Sequence, residues 1–186
     1  MDKQREEETY NDMYVLLNSE QKAFVDVCVQ GFMRQVERAE ALKSGSPLPV
    51  IPDGERLLHL QARGGRGKSF VFSALIAKAL SLGLMIQVSS FSGVSALLLP
   101  RGQTAHRTYG LPLQTASAAP STLTTRSAQG QRLAHCAVHF FDEIESLHRL
   151  LFECASEVTT RCAMDVFGRD DDALSQSFAG AMVLMC

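Results

Sequence analysis

The octet Ala62-Arg63-Gly64-Gly65-Arg66-Gly67-Lys68-Ser69 carries the residue types that bind a nucleoside triphosphate. Glycines let a backbone curl so that successive N–H groups and a following helix N-terminus face a phosphate. On this reading Gly64, Gly65, Arg66 and Gly67 form the cradle, Lys68 reaches the β- and γ-phosphates, and Ser69 ligates Mg²⁺. The pattern G-x-x-x-x-G-K-[ST] has glycine where this chain has Ala62, and a methyl group there is expected to cost backbone freedom. The competing reading is a glycine-rich turn with an ordinary surface lysine.

A second chemical pair follows an apolar run. Ala137-Val138-His139-Phe140-Phe141 reads as a buried strand and delivers Asp142-Glu143 to the ligand-binding edge of a parallel sheet. Asp142 is expected to hold Mg²⁺ through Ser69 and water, because Mg²⁺ takes hard oxygen ligands and keeps several waters. Glu143 is then the candidate base for the attacking water. An Asp-Glu pair after apolar residues is common on its own; the loop at Lys68 gives it meaning.

These residues need elements to position them. Arg56 to Leu60 reads as a strand, and Phe70 to Leu80 as an apolar helix stopped by Gly83. Upstream, Ser19 is placed as the N-cap of an amphipathic helix running through Glu40, followed by a Pro- and Gly-rich loop between Lys43 and Gly54. Downstream come a strand over Leu84–Ser89, a short helix over Ser92–Leu99 ended by Pro100, and a flexible surface connection over Gln114–Gln131. A helix over Glu145–Thr159, a charged loop over Gly168–Asp172 and a last strand over Ala181–Met185 complete the pattern. Strands alternating with helices predict an α/β domain with a mostly parallel sheet.

With 186 residues, 46% of them hydrophobic, the chain is long enough to bury one core. Its net charge of -2 provides no basic field, so any nucleic-acid contact must come from local groups such as Arg63, Arg101 and Arg107. The cysteines, five in number, lack metal-type spacing and suit reduced thiols inside a cell. His59, His135, His139 and His148 have no paired spacing and are assigned no chemistry; Phe70, Phe72, Phe140 and Phe141 are read as packing. The acidic start does not resemble a leader peptide and no apolar run could span a bilayer, so a nuclear location is expected, with cytosolic or mitochondrial ones left open.

Taken in order, four blocks resemble the Pif-type (petite integration frequency) DNA helicases of superfamily 1, including those of helitron elements. They are Leu17 to Lys22, the loop through Lys68-Ser69, Val88 to Leu99 with Gly102 to His106, and Phe140 to Ile144. The resemblance implies a RecA-like P-loop NTPase fold, with ATP and Mg²⁺ as cofactors and single-stranded DNA and DNA junctions as partners. It further implies that Gln21 reads the adenine and that Ser89, Ser90, Gly93, Thr104, His106 and Arg107 contact DNA. The activity implied is 5′-to-3′ unwinding in repair, recombination or telomere maintenance. Such helicases continue into a Gly-Asp-x-x-Gln motif and a second motor domain, so residues 1–186 are expected to form a partial first motor domain. The alternative is a non-catalytic ATP- or DNA-binding remnant of a mobile element; an unrelated phosphate-loop kinase explains fewer of the blocks.

Overall fold

The computed structural model describes residues 2–112, 120–168 and 172–186. Five strands, β1 (Leu57–His59), β2 (Ile86–Ser90), β3 (Gln103–Thr104), β4 (Val138–Asp142) and β5 (Met182–Met185), form one sheet in the order β1-β5-β4-β2-β3. Every adjacent pair is parallel, so all carboxyl ends lie at one edge. The expected α/β architecture is present.

Side-chain alternation explains why helices cover both faces. Val138, Phe140, Met182 and Leu184 face a core shared with α1 (Lys3–Leu16), α2 (Ser19–Ser44) and α4 (Lys68–Ser81). Phe141, Ala181 and Val183 face a second core built with α6 (Ala105–Tyr109), α7 (Ala128–Ala134), α8 (Arg149–Phe167) and α9 (Asp172–Ser175). A strand buried on both sides is mostly apolar, which is why β5 reads as a continuous hydrophobic run and β4 as one broken only by the buried, hydrogen-bonded His139 before Asp142. Two short helices, α3 (Asp53–Arg56) and α5 (Gly93–Leu98), lead into β1 and out of β2.

Several boundaries differ from the sequence expectation, each for a local reason. The first long helix is capped by Asn18, not Ser19: the Asn18 side chain accepts the Gln21 N–H at 2.9 Å, while Gln21 Oε1 accepts the Asn18 N–H at 3.0 Å. This reciprocal cap satisfies two otherwise orphaned donors, and the helix then runs to Ser44, where Gly45 takes φ 70°. Helix α1 was not foreseen because its sequence is strongly polar; it is fixed to α4 by a Lys78–Glu7 ion pair at 2.6 Å, with Lys78 Nζ 4.9 Å from the centre of the Tyr10 ring. Part of the expected flexible connection is helix α7, started by the Ser127 hydroxyl accepting the Gly130 N–H at 3.0 Å; residues 113–119 of that stretch lie outside the described residues. Helix α8 begins at Arg149, four residues late, because His148 Nδ1 accepts the Leu150 N–H, and it runs on to Gly168 at φ 58°. Of the expected charged loop, residues 169–171 lie outside the described residues and Asp172 opens α9. Phe70 is 37% exposed and is not core, whereas Phe72, Phe140 and Phe141 are buried.

The approach to β5 is held by buried cations. Phe178 and Ala179 both adopt left-handed backbone (φ 53° and 54°), unusual for residues with a Cβ. Arg38 donates to the Ala179 carbonyl, Gln35 to that of Gly180 at 3.2 Å, and Arg56 to that of Ser177 at 2.9 Å. These bonds link α2 and α3 to a turn that local propensity alone would not hold.

Candidate nucleotide and nucleic-acid site

The loop between β1 and α4 crosses the carboxyl edge of the sheet, where β4 and β5 also end. A cleft of about 560 Å³ opens there, lined by Ala62, Arg63, Gly64, Lys68, Asp142 and Glu143 among others. Residues 74 positions apart in sequence thus share one cavity, at the place where parallel α/β sheets bind ligands.

Backbone conformation separates the glycines the loop needs from those it tolerates. Gly65 and Gly67 adopt φ 74° and 79°, where an L side chain costs about 1–2 kcal/mol. Gly64 has neither a positive φ nor a neighbour that a Cβ would meet. Ala62 also lies outside the left-handed region, so the methyl group expected to restrict the turn does not strain it. Its carbonyl accepts Lys68 Nζ at 2.7 Å, which aims the ammonium across the loop's mouth. Ser69, the second residue of α4, is exposed beside it.

Gln21 is bonded at both ends of its carboxamide. Besides the cap to Asn18, Nε2 donates to the Arg66 carbonyl at 3.2 Å and lies 3.2 Å from where a Cβ on Gly67 would stand. The expected base-reading residue therefore also ties the start of α2 to the glycine loop. One amide hydrogen and one lone pair remain for a ligand. A second hollow of about 540 Å³, lined by Asn18, Gln21, Arg66 and Val71, shares Ala62, Arg63 and Lys68 with the first. The two make one trough with a basic middle.

Among the described residues no group of three or more His, Cys, Asp or Glu side chains could hold a metal alone. Of the two expected donors, the Asp142 carboxylate lines the cleft, whereas Ser69, exposed at the start of α4, is not among the residues lining it; both offer hard oxygens. They fit Mg²⁺ held largely by phosphate oxygens and water. Asp142 Oδ1 accepts the Glu143 N–H at 3.1 Å and the Cys186 thiol at 3.0 Å, leaving Oδ2 for a cation. Burial, followed by the Asp142 carboxylate, pushes the Cys186 thiol up, so it stays protonated and donates. Sequence reasoning missed this contact because Cys186 carries no motif.

Glu143 takes left-handed backbone at φ 56°, and its carboxylate turns toward the end of β2, where Ser90 Oγ donates to Oε2 at 3.3 Å. The nearby Ser95 hydroxyl chiefly holds its carboxyl below the usual carboxylate range; burial opposes this, and Ser92 and Ser90 add smaller lowering effects. The candidate base is ionised but engaged.

The expected DNA-contact residues divide into two groups. Ser89 is completely buried and its hydroxyl donates to the Phe140 carbonyl at 3.0 Å, so it is a sheet contact and is not presented to a ligand. Ser90 is buried under Glu143. Gly93 and Arg107 are exposed, and Thr104 and His106 half-buried, at the same end of the sheet. Thr104 caps α6 by accepting the Arg107 N–H at 3.4 Å, and the His106 ring stands edge-on to Phe91 at 6.0 Å. His139, assigned no chemistry, is a buried structural group whose Nδ1 pairs with the Tyr109 hydroxyl at 2.8 Å.

The family model for PIF1-like helicases matches residues 48–186. No curated protein matches the chain. Among solved structures, the Pif1 helicase from Candida albicans is 17% identical with a TM-score of 0.63, over 91% of this chain and 32% of that one. A Bacteroides Pif1 bound to single-stranded DNA is 21% identical with a TM-score of 0.52, over 70% of this chain and 28% of that one. A Pif1 structure described as the basis for DNA unwinding at forked double-stranded DNA by two coordinating Pif1 helicases gives 18% and 0.57, over 91% and 32%. The chain thus spans about a third of the length of these structures, and the likeness shows the fold: a RecA-like domain.

Proposed function

Because the chain belongs to the PIF1-like helicase family, we propose that it is the nucleotide-binding motor domain of an ATP-dependent DNA helicase. The observation that carries this reading is the convergence of Lys68, Asp142 and Glu143 on one cleft behind a loop whose Gly65 and Gly67 hold the conformation a phosphate cradle needs. Lys68 would neutralise charge on the β- and γ-phosphates, and the N–H groups of residues 64–69 would hold their oxygens. Mg²⁺, when bound, supplies further charge neutralisation on the phosphates, with Ser69 and Asp142 holding it. Glu143 would orient the attacking water and accept its proton at a carboxylate oxygen. Gln21 would present its remaining donor and acceptor to the adenine edge.

Single-stranded DNA and DNA junctions are the proposed partners, supported by a Pif1 neighbour bound to single-stranded DNA and by one described for unwinding at forked double-stranded DNA. ATP as the nucleotide is supported by the cleft and by a Bacteroides Pif1 neighbour solved with ADP-AlF4. Gly93, Thr104, His106 and Arg107 are the contacts we favour, through backbone N–H groups, a hydroxyl and cations on phosphates. Unwinding in the 5′-to-3′ direction, roles in repair, recombination or telomere maintenance, and a nuclear location belong to the same proposal.

Lys68→Ala is the test: it should abolish Mg-ATP binding in a fluorescent-nucleotide titration while leaving the circular dichroism spectrum unchanged. Unaltered nucleotide affinity would sink the assignment. A second reading, nucleotide binding without turnover, draws on the engagement of Glu143 by serine hydroxyls, and phosphate release in the presence of DNA separates the two.

A further inference from the structure

Strand register puts Ser90 between the two halves of the site. It lies beside Asp142 on β4 and beside Thr104 on β3. From this position its hydroxyl reaches back to Glu143, while the chain it begins continues through Ser92 into α5. Ser92 Oγ accepts the Ser95 N–H at 3.1 Å and lies 2.8 Å from Ser95 Oγ, so these two hydroxyls pair with each other at the start of α5, two residues beyond Ser90. One carboxylate of the cleft is therefore anchored to the segment that carries the exposed Gly93. A hydroxyl has one proton to donate: while Ser90 spends it on Glu143, it cannot donate it to a phosphate oxygen, and the converse holds.

Resting on the functional reading above, we propose that Ser90 is a positioning residue for Glu143. It ties the carboxylate to the start of the β2–α5 segment until single-stranded DNA engages that segment and frees the carboxylate for the attacking water. Thr104 and Arg107, on the strand and helix next along, bring the DNA to the same edge. The left-handed backbone of Glu143 supports this role, because it turns the side chain sideways to β2, away from the line of β4. Binding of DNA and position of the base are then two ends of one equilibrium, and each must affect the other equally.

That reciprocity permits a test on the chain as it stands, without turnover. Fluorescein-labelled oligothymidylate binding is followed by anisotropy at fixed low salt. Glu143→Ala removes the competitor and should tighten binding about tenfold, a change in the range expected for charge-assisted hydrogen bonds. Glu145→Ala removes the same charge two residues away and should change affinity by no more than about threefold. In a Ser90→Ala background the Glu143→Ala gain should shrink to that of Glu145→Ala, since the coupling is pairwise. Carboxyl ¹³C NMR gives an independent signature: the Glu143 resonance should move on adding the oligonucleotide, and already lie near the moved position in Ser90→Ala without it. Ser90→Thr, which keeps the hydroxyl, should behave as the native chain. Equal effects of Glu143→Ala and Glu145→Ala, with a Glu143 resonance indifferent to DNA, would overturn the coupling while leaving DNA binding intact. Failure of the native chain to bind the oligonucleotide at all would remove the DNA reading and this inference together, and Mg-ATP binding would still stand or fall separately.

Discussion

Gly67→Ala and Ala62→Gly form an opposed pair that tests how the phosphate loop is built. At Gly67 the backbone sits at φ 79°, so a side chain there costs about 1–2 kcal/mol. The new Cβ would also stand 3.2 Å from Gln21 Nε2, tighter than ordinary contact, and would displace the amide from the Arg66 carbonyl, a bond worth about 1 kcal/mol. Together about 2–3 kcal/mol opposes the conformation that points N–H groups at a phosphate, which lowers nucleotide affinity about 30- to 140-fold if the loop relaxes elsewhere when empty. At Ala62 the backbone is outside the left-handed region and only the carbonyl is used, so glycine adds nothing to the bound geometry. Ala62→Gly should change affinity by less than about threefold and cost no more than about 1 kcal/mol of stability, through greater freedom of the unfolded chain. Titration of a fluorescent ATP analogue with Mg²⁺, alongside urea unfolding, reads both quantities. A tenfold gain in affinity from Ala62→Gly would refute the reasoning, because it would show that the methyl group, and not the left-handed positions, limits the loop.

Other consequences follow from groups elsewhere in the molecule. Arg107→Ala should weaken oligonucleotide binding to a similar extent across sequences and flatten its salt dependence by about one phosphate contact; a sequence-specific loss would contradict a phosphate role. Burial depresses His139 from its ordinary value to about 3, so the folded protein keeps it neutral while the unfolded chain protonates it below about pH 6.5. Its contribution is fully present above that pH and declines as pH falls toward 3. Urea unfolding should show about 2 kcal/mol less stability from this group at pH 5 than at pH 7, and His139→Phe should have a shallower pH slope. Arg56→Ala should cost about 3 kcal/mol or more, since it leaves the Ser177 and Ala181 carbonyls without their buried donor; a loss under about 1 kcal/mol in the same assay would count against the staple before β5.

What the sequence disclosed, and what it hid, follows from the range of the interactions. The strands were legible because β4 and β5 are buried on both faces and are apolar at nearly every position, His139 being buried through its bond to Tyr109. The phosphate loop was legible because left-handed backbone at Gly65 and Gly67 restricts residue type. Helix α1 was hidden because its stability comes from docking on α4 through Glu7 and Tyr10, partners far along the chain. The start of α8 was hidden because His148 is an uncommon cap. Long-range pairing governs the site in the same way. Ser89 and Ser90 are adjacent and chemically identical, and the sequence gives no ground for treating them differently. Strand alternation sends the Ser89 hydroxyl into the sheet to Phe140 and the Ser90 hydroxyl to Glu143. A one-residue slip of β2 against β4 would exchange those roles, detach Glu143 from the end of β2 and leave both motifs unchanged in sequence. On the proposed function, the motifs specify which ligands the domain can hold, whereas the register of β2 between β3 and β4 specifies whether holding one can be felt at the other.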